Sequence, residues 1–405
     1  MRNRSFMVLV ALLAAAAPET VSQVYQEPGD YGYSYRTEDI PGVYETMEDS
    51  RIYYPDSGGV IPQSAVPCPV VVLGHGFMMG IDRYESYAEH LATWGYLVVL
   101  PTYSNPLIEP EHFTRARCIV DAALFTAGLD TQPGDLFFGK VDETNWGFTG
   151  HSMGGGCAFL AADTFDLADT LRVVVSFNSP QTTPPVSPAG LDLPKLVLAG
   201  GVDTTAPWQE VREAMWAEAP APGAFAVIHG ANHGYSMDYS YWWEDGGTAT
   251  ISREEQQATI RLYMTAYFER YLHGDASSLN FMVCYGDSIL SDPALDSVEV
   301  RLETGISPGP GGSGASAGVI RVFPNPSAGP ANLELVLASP TAVTVSIFDM
   351  LGRMVCVPAD GNLSDGVHLF SWNGTDRDSD PLPPGIYMCV METQEGAVAA
   401  KLVRR

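Results

Sequence analysis

The stretch Trp146–Gly156, WGFTGHSMGGG, decides the fold. It opens as a short apolar strand over 146–149, passes through Gly150-His151-Ser152-Met153-Gly154, and runs on into a helical stretch at 155–162. A G-x-S-x-G pentapeptide set between a strand and a helix has the pattern of a nucleophile elbow. The serine of such a turn carries strained backbone angles, and side chains at the flanking glycines would clash with the adjoining strand and helix. The turn lifts a hydroxyl clear of the sheet, which makes Ser152 the candidate nucleophile.

Apolar strands flank this motif on both sides. Pro69–Leu73 stops at Gly-His-Gly, Tyr96–Pro101 follows a helical stretch at Tyr84–Trp94, and a second helical stretch covers Thr114–Gly128. Arg172–Phe177, Lys195–Ala199 and Phe225–His229 read as three more strands, and Ser252–Leu272 as a long helix. Strands that are apolar without alternation, each followed by a helix, predict a parallel sheet covered on both faces. The expected fold class is therefore α/β, with a doubly wound, mostly parallel sheet.

A serine hydroxyl needs a base before it can attack a carbonyl. In an elbow-bearing sheet the acid and then the base follow the serine along the chain. Asp203, in GGVDTTAPW, lies just past the strand Lys195–Ala199, and His233, in GANHG, lies just past Phe225–His229. Both fall where loops leave the carboxyl ends of strands, the usual place for a site in an open sheet. Asp192 precedes its strand, Asp238 follows His233 too closely, and His229, inside its strand, is expected to be a packed residue or one that supports the site residues. The expected roles are His233 as base and then acid, and Asp203 as the group that orients it. A developing oxyanion needs two pre-aimed donors. The backbone N–H of Met153 is one candidate, and that of Phe77, in VVVLGHGFMMG at 70–80, is the other. The Phe77 ring is a candidate shelf for the substrate, and His75 is expected to support the loop.

Of the 405 residues, 46% are apolar, and 48 acidic residues against 21 basic ones give a net charge of −27. That balance argues against nucleic acid and anionic lipid surfaces as partners. Arg2 and Arg4 precede an apolar run at 6–17, so residues 1–22 read as a signal peptide. No other apolar run is long enough to predict a transmembrane segment. The stretch 23–50, rich in Tyr, Glu and Asp, reads as an extended lead-in to a catalytic domain over 23–304. Residues 305–318, GISPGPGGSGASAG, read as a flexible linker. Alternating runs at 332–337, 342–348, 368–372, 386–391 and 398–403 predict a small all-β sandwich over 319–405. Of the six cysteines, Cys356 and Cys389 form one candidate disulfide pair, and Cys157 reads as a small buried thiol. No spacing of Cys and His suggests zinc, and Asp376, Asp378 and Asp380 read as a solvated turn rather than a calcium loop.

The region from Tyr53 to about Tyr285 resembles the bacterial cutinase and polyester hydrolase family, which includes poly(ethylene terephthalate) hydrolases. The resemblance is carried by Gly76-Phe77, FGKVD at 138–142, GHSMGGG at 150–156, VDTTAP at 202–207 and ANH at 231–233. It implies an α/β-hydrolase with a shallow, lidless, apolar cleft, esterase activity and no cofactor. It places a triad on Ser152, Asp203 and His233, oxyanion donors on Phe77 and Met153, and substrate contacts on Phe77, Met153 and Thr205. The chain departs from the family pattern in three ways. FNSPQT at 177–182 lacks the expected Trp, Thr205 stands where an aliphatic residue is expected, and Tyr239, Tyr241, Trp242 and Trp243 form an aromatic insertion. The insertion is expected to reshape the cleft, with Trp242 or Trp243 as a partial cover. GHGFMMG at 74–80 also resembles chlorophyllases and related lipases, which carry Arg where this chain has Met153.

The C-terminal segment resembles a type IX secretion sorting domain, through VFPNPSAG at 322–329, VSIFDMLGR at 345–353, PGIY at 384–387 and Lys401-Leu402-Val403. That resemblance implies export across an outer membrane by the type IX secretion machinery, to the cell surface or medium. The combined expectation is a secreted, monomeric serine ester hydrolase acting on apolar esters or polyesters. A lipase, a chlorophyllase-like esterase and a non-catalytic binding protein on the same fold are the alternatives.

Overall fold

The computed structural model describes residues 24–303 apart from 105–110, 276, 278, 279, 281 and 282, and residues 319–405 apart from 324–326, 328, 338, 350–352, 378, 379, 394 and 395. The expected signal peptide, the expected linker and Asp378 lie outside the described residues.

The chain enters through an antiparallel hairpin, β1 (Gly32–Pro41) and β2 (Thr46–Asp56), with Tyr35 opposite Tyr53. This corrects the expected lead-in. The hairpin forms the sheet edge, and β1 has one half-buried and one solvated face, which dilutes the apolar signal of a strand. The core strands follow as β3 (Cys68–Gly74), β4 (Leu97–Leu100), β5 (Val141–His151), β6 (Leu171–Phe177), β7 (Lys195–Gly200) and β8 (Gly223–Ile228). They pair in parallel in the order β4-β3-β5-β6-β7-β8, with β2 antiparallel to β4 at one side and β9 (Leu295–Glu303) antiparallel to β8 at the other. The mixed sheet is thus parallel in its middle.

The helices are α1 (Glu85–Thr93), α2 (His112–Gly128), α3 (Met153–Thr164), α4 (Trp208–Met215), α5 (Arg253–Tyr271) and α6 (Asp287–Ser291). Successive strand residues feed opposite faces. Val70, Val72, Phe148, Val174 and Val197 join a core with α2, α3 and α4, whereas Val71, Leu73, Val173, Val175 and Leu196 join a second core with α1 and α5. Burial of both faces explains why these strands show no polar alternation. Helix α5 starts at a capping box, in which Ser252 and Glu255 satisfy each other's backbone N–H groups. Among the described residues, no helix is long and apolar enough to cross a membrane.

Beyond residue 318 come β10 (Val319–Phe323), β11 (Ala331–Leu337), β12 (Thr341–Asp349), β13 (Met354–Leu363), β14 (Gly366–Trp372), β15 (Gly385–Thr393) and β16 (Gly396–Arg404). One sheet is β10-β11-β14; β13-β12-β15-β16 form the other, and the two close over Leu333, Leu335, Val345, Ile347 and Trp372. Strand β16 also pairs with β9, from Gly396 opposite Glu303 to Ala399 opposite Val300. Strand β13 was not expected, because its Pro, Asp and Gly residues interrupt any alternation. The expected Cys356–Cys389 disulfide is not formed, and both thiols are free. Ile347 on β12 lies opposite Cys356 on one side and Cys389 on the other. Two strand spacings, about 9.6 Å, separate such residues, beyond the reach of a disulfide.

Candidate active site

The elbow is built by close backbone approach. Ser152 caps α3 with φ 53° and ψ −124°, a left-handed conformation that a non-glycine residue adopts only under constraint. The constraint is visible in its hydrogen bonds: its N–H donates to the Phe177 carbonyl at 3.1 Å, and its carbonyl accepts from Gly156 N–H at 3.1 Å. A Cβ on Gly150 would lie 2.5 Å from the Gly154 carbonyl carbon, and one on Gly154 would enter the Gly74 carbonyl. Gly154 therefore lets β3 and α3 touch directly beneath the serine.

The structure brings Ser152, His233 and Asp203 together across 81 and 30 residues of chain. Ser152 Oγ lies 3.0 Å from His233 Nε2, and His233 Nδ1 lies 2.8 Å from Asp203 Oδ2. All three are buried, and the Asp203 side chain is fully so. Its second oxygen accepts the N–H groups of Thr205 at 2.8 Å and Ala206 at 2.9 Å, which leaves the first oxygen facing His233 Nδ1. With that acceptor at Nδ1, the imidazole proton sits on Nδ1, and Nε2 is left to accept from the serine hydroxyl.

The candidate oxyanion donors sit on two loops that converge on Ser152. Met153 N–H belongs to the first turn of α3, where no helical carbonyl accepts it, and the Met153 side chain is buried. On the facing loop, Gly76 N–H donates to Tyr84 Oη at 3.0 Å, and that hydroxyl shares a second hydrogen bond of 2.9 Å with His151 Nδ1. Phe77 is the next residue, with its ring packed on the core. His75 supports the loop, its ring stacked on Tyr103 at 3.9 Å and its carbonyl taking the Tyr103 hydroxyl at 2.8 Å. Burial lowers the His75 pKa to about 4, and burial first and the neighbouring His233 second push that of His151 well below the ordinary range. Both rings are neutral at pH 7. Thr205 is exposed at the rim.

His229 corrects an expectation. Strand β8 ends at Ile228, and His229 stands exposed beyond it, paired with Asp296 at 2.7 Å. Asp238 accepts Ser86 N–H at 3.0 Å and takes no part in the triad geometry.

Several residues that position the site carry no motif. Gln256, in α5, donates to the Asn232 carbonyl at 2.8 Å and accepts Asn232 N–H at 3.1 Å, while Asn178 donates to the same carbonyl at 2.9 Å. This buried amide cluster holds the backbone one residue before His233. The second device is the segment 239–247. The Asp245 carbonyl accepts both His233 N–H (2.9 Å) and Gly234 N–H (3.0 Å), and the Gly246 carbonyl accepts Thr204 N–H at 2.9 Å. This strap ties the His233 loop to the Asp203 loop. The pair Gly246-Gly247 marks it in the sequence: at φ 55° a Cβ on Gly246 would lie 2.7 Å from His233 Cβ, and at φ 117° one on Gly247 would enter the Val202 carbonyl. The expected cover does not form: Trp242 is 81% and Trp243 62% exposed, so these rings project into solvent. Among the described residues, no group of three or more His, Cys, Asp or Glu side chains is arranged to hold a metal ion.

Residues 325–397 match the FlgD Ig-like domain family. A bis(hydroxyethyl) terephthalate hydrolase of Streptomyces coelicolor is 24% identical over 233 residues, which cover 57% of this chain. The match spans 64% of that relative's length, less than two thirds of it. Residues 18–298, well over half of the chain, match the PET hydrolase-like family. With that match over a doubly wound sheet, the chain belongs to the PET hydrolase-like family.

Proposed function

We propose that this protein is a secreted serine ester hydrolase that cleaves apolar carboxylic esters or polyesters through an acyl-enzyme, with poly(ethylene terephthalate) within its substrate class. The observation that carries the reading is the continuous hydrogen-bonded line from Ser152 Oγ through the His233 ring to Asp203, beginning at a strained elbow.

The reaction follows from that line. Ser152 Oγ attacks the ester carbonyl carbon while its proton passes to His233 Nε2. The carbonyl oxygen takes up negative charge, and the N–H groups of Met153 and Phe77 stabilise it. Asp203 stabilises the imidazolium and keeps its tautomer. The tetrahedral intermediate collapses, the C–O bond to the alcohol breaks, and His233 gives its proton to the leaving oxygen. Water then attacks the acyl-Ser152 ester with His233 as base, releasing the acid. The absence of charged side chains from the named substrate positions Phe77, Met153 and Thr205 supports a neutral substrate.

The motifs VFPNPSAG, VSIFDMLGR and PGIY, on a segment that matches an Ig-like domain family, support a type IX sorting role for the C-terminal domain, and with it surface or extracellular location.

Two measurements test the reading. A fluorophosphonate probe labels the intact protein and not Ser152→Ala, and that variant loses at least about 10³-fold in kcat on p-nitrophenyl esters. Equal labelling of both proteins, or none of the intact one, sinks the catalytic assignment and leaves the binding-protein alternative. Rates over a series of acyl chain lengths, beside an aromatic polyester film, set polyesterase against lipase: a strong preference for long triglycerides selects the lipase.

A further inference from the structure

The strap that joins the acid and base loops carries an exposed aromatic surface with no role in the triad. Tyr241 and Trp243 stack at 4.7 Å and 9°, and Trp242 stands edge-on to Trp243 at 5.6 Å. Tyr241, Trp242 and Trp243 are 51%, 81% and 62% exposed. Clustered, exposed large aromatics are uncommon on a soluble surface and mark a place of interaction.

The strap is held rigidly, which sets it apart from a lid. Arg83 pairs with Glu244 at 2.6 Å and lies 5.5 Å from the Tyr241 ring centroid. Glu244 accepts Tyr241 N–H at 2.8 Å and donates its own N–H to the Tyr241 carbonyl, closing a tight turn under the rings. The segment is pinned at its start, where Asp238 N–H donates to the Arg83 carbonyl at 2.8 Å, and at its end by the bonds from His233, Gly234 and Thr204. The rings therefore keep a fixed offset from the Ser152–His233 pair.

We propose that Tyr241, Trp242 and Trp243 form a docking platform that adsorbs the protein onto the uncharged aromatic face of a solid polyester, beside and separate from the bond-cleaving site. The choice of occupant rests on the ester-hydrolase reading. Planar rings recognise planar rings by offset stacking and edge contact. A chain of net charge −27 is repelled by anionic surfaces and keeps its short-range attraction for neutral ones. Continuity supplies the functional logic: the main chain that carries the rings also accepts His233 N–H, so an adsorbed platform holds the triad at the polymer surface.

The test separates adsorption from catalysis by using Ser152→Ala protein. Depletion from solution onto amorphous poly(ethylene terephthalate) film is compared for Ser152→Ala alone and with Trp242→Ala and Trp243→Ala added. Cellulose and phosphatidylcholine vesicles are parallel surfaces. The expected result is a fall in film adsorption on the order of tenfold for each tryptophan removed, with little binding to cellulose or vesicles at any stage. In the Ser152-containing protein the same two substitutions leave kcat/KM for p-nitrophenyl acetate within about twofold, while film hydrolysis falls with adsorption. Unchanged film adsorption overturns the proposal. So does a ring-dependent binding to cellulose or vesicles that exceeds binding to film, and so does an equal loss on the soluble ester, which would make the rings part of the cleft. Failure of the ester-hydrolase reading has a different signature, an unlabelled Ser152, and leaves the adsorption measurement intact.

Discussion

The elbow holds Ser152, the strap ties the loops of His233 and Asp203, and the two are written in the sequence in opposite ways. At the elbow, Gly150 and Gly154 are packed backbone against backbone, so the residue types are forced by their nearest chain neighbours and recur as a pentapeptide. At the strap, 239–247, the constraint is spread over Arg83, Thr204, His233 and Gly246, which lie far apart along the chain. Local crowding leaves a motif, whereas distributed hydrogen bonding leaves almost none. The elbow sets where Ser152 is, and the strap sets where the loops of Asp203 and His233 meet it.

Three substitutions break or sharpen that contrast. The largest effect is expected from Gly154→Ala. The added methyl enters the Gly74 carbonyl, part of a β3 backbone that cannot move aside, so β3 and α3 separate. A loss of about 3 kcal/mol or more is expected, read as a collapse of Tm or of soluble yield. A Tm near that of the parent would show that the elbow tolerates a side chain and that its glycine is incidental. Gly246→Ala acts on the other side of the site. Its methyl meets Thr205 and, at 2.7 Å, His233 Cβ, at a backbone angle that disfavours a side chain. The fold survives, since only a surface segment shifts, but His233 is displaced. A fall in kcat on the order of 10–100-fold with KM within about threefold is the expected outcome on p-nitrophenyl acetate. Unchanged kcat would reduce the strap to a surface loop.

The third effect, the smallest when read over a single pH unit, concerns protons. The elbow side contains His75 and His151, and the second core contains His90, each held neutral chiefly by burial, with His75 at about 4 and His90 at about 3. In the unfolded chain each titrates near 6.5. Because the folded values are depressed, the stability they contribute is complete above pH 6.5 and is lost as pH falls toward 4 and then 3. Each such group costs about 1.4 kcal/mol per pH unit in that window. His90→Gln removes one group remote from Ser152 and keeps a hydrogen-bonding partner for Thr265, which lies 3.0 Å from His90 Nε2. Unfolding free energy from urea titrations between pH 6.5 and 4 is expected to fall less steeply by about one proton. An unchanged slope would mean that His90 is already charged when folded.

Much of the site was legible without coordinates. Ser152 follows directly on an apolar strand, Asp203 and His233 lie a few residues past the ends of theirs, and a parallel sheet delivers all such strand ends to one edge, so order and position sufficed to group them. The same logic misplaced His229, which directly follows the apolar run, because the residue after a strand's end reads like its interior until pairing is known. The hairpin β1–β2 was hidden for a related reason: an edge strand keeps one face in water and reads as polar. The Cys356–Cys389 pairing failed on register, as both residues flank Ile347 on opposite sides of β12. Gln256 and Asn178 were invisible because nothing about an amide in a helix or after a strand reveals that it will cradle the Asn232 carbonyl.

Sequence was enough for the doubly wound sheet, the elbow and the chain order of Ser152, Asp203 and His233, since these depend on periodicity and on contacts between residues a few positions apart. Folding alone settled that the Asp203 carboxylate is caged by two backbone N–H groups and that the aromatic segment stands open as a strap rather than a cover. Those features are sums of many weak contacts between distant parts of the chain, and such sums exist only once the sheet has brought the loops together.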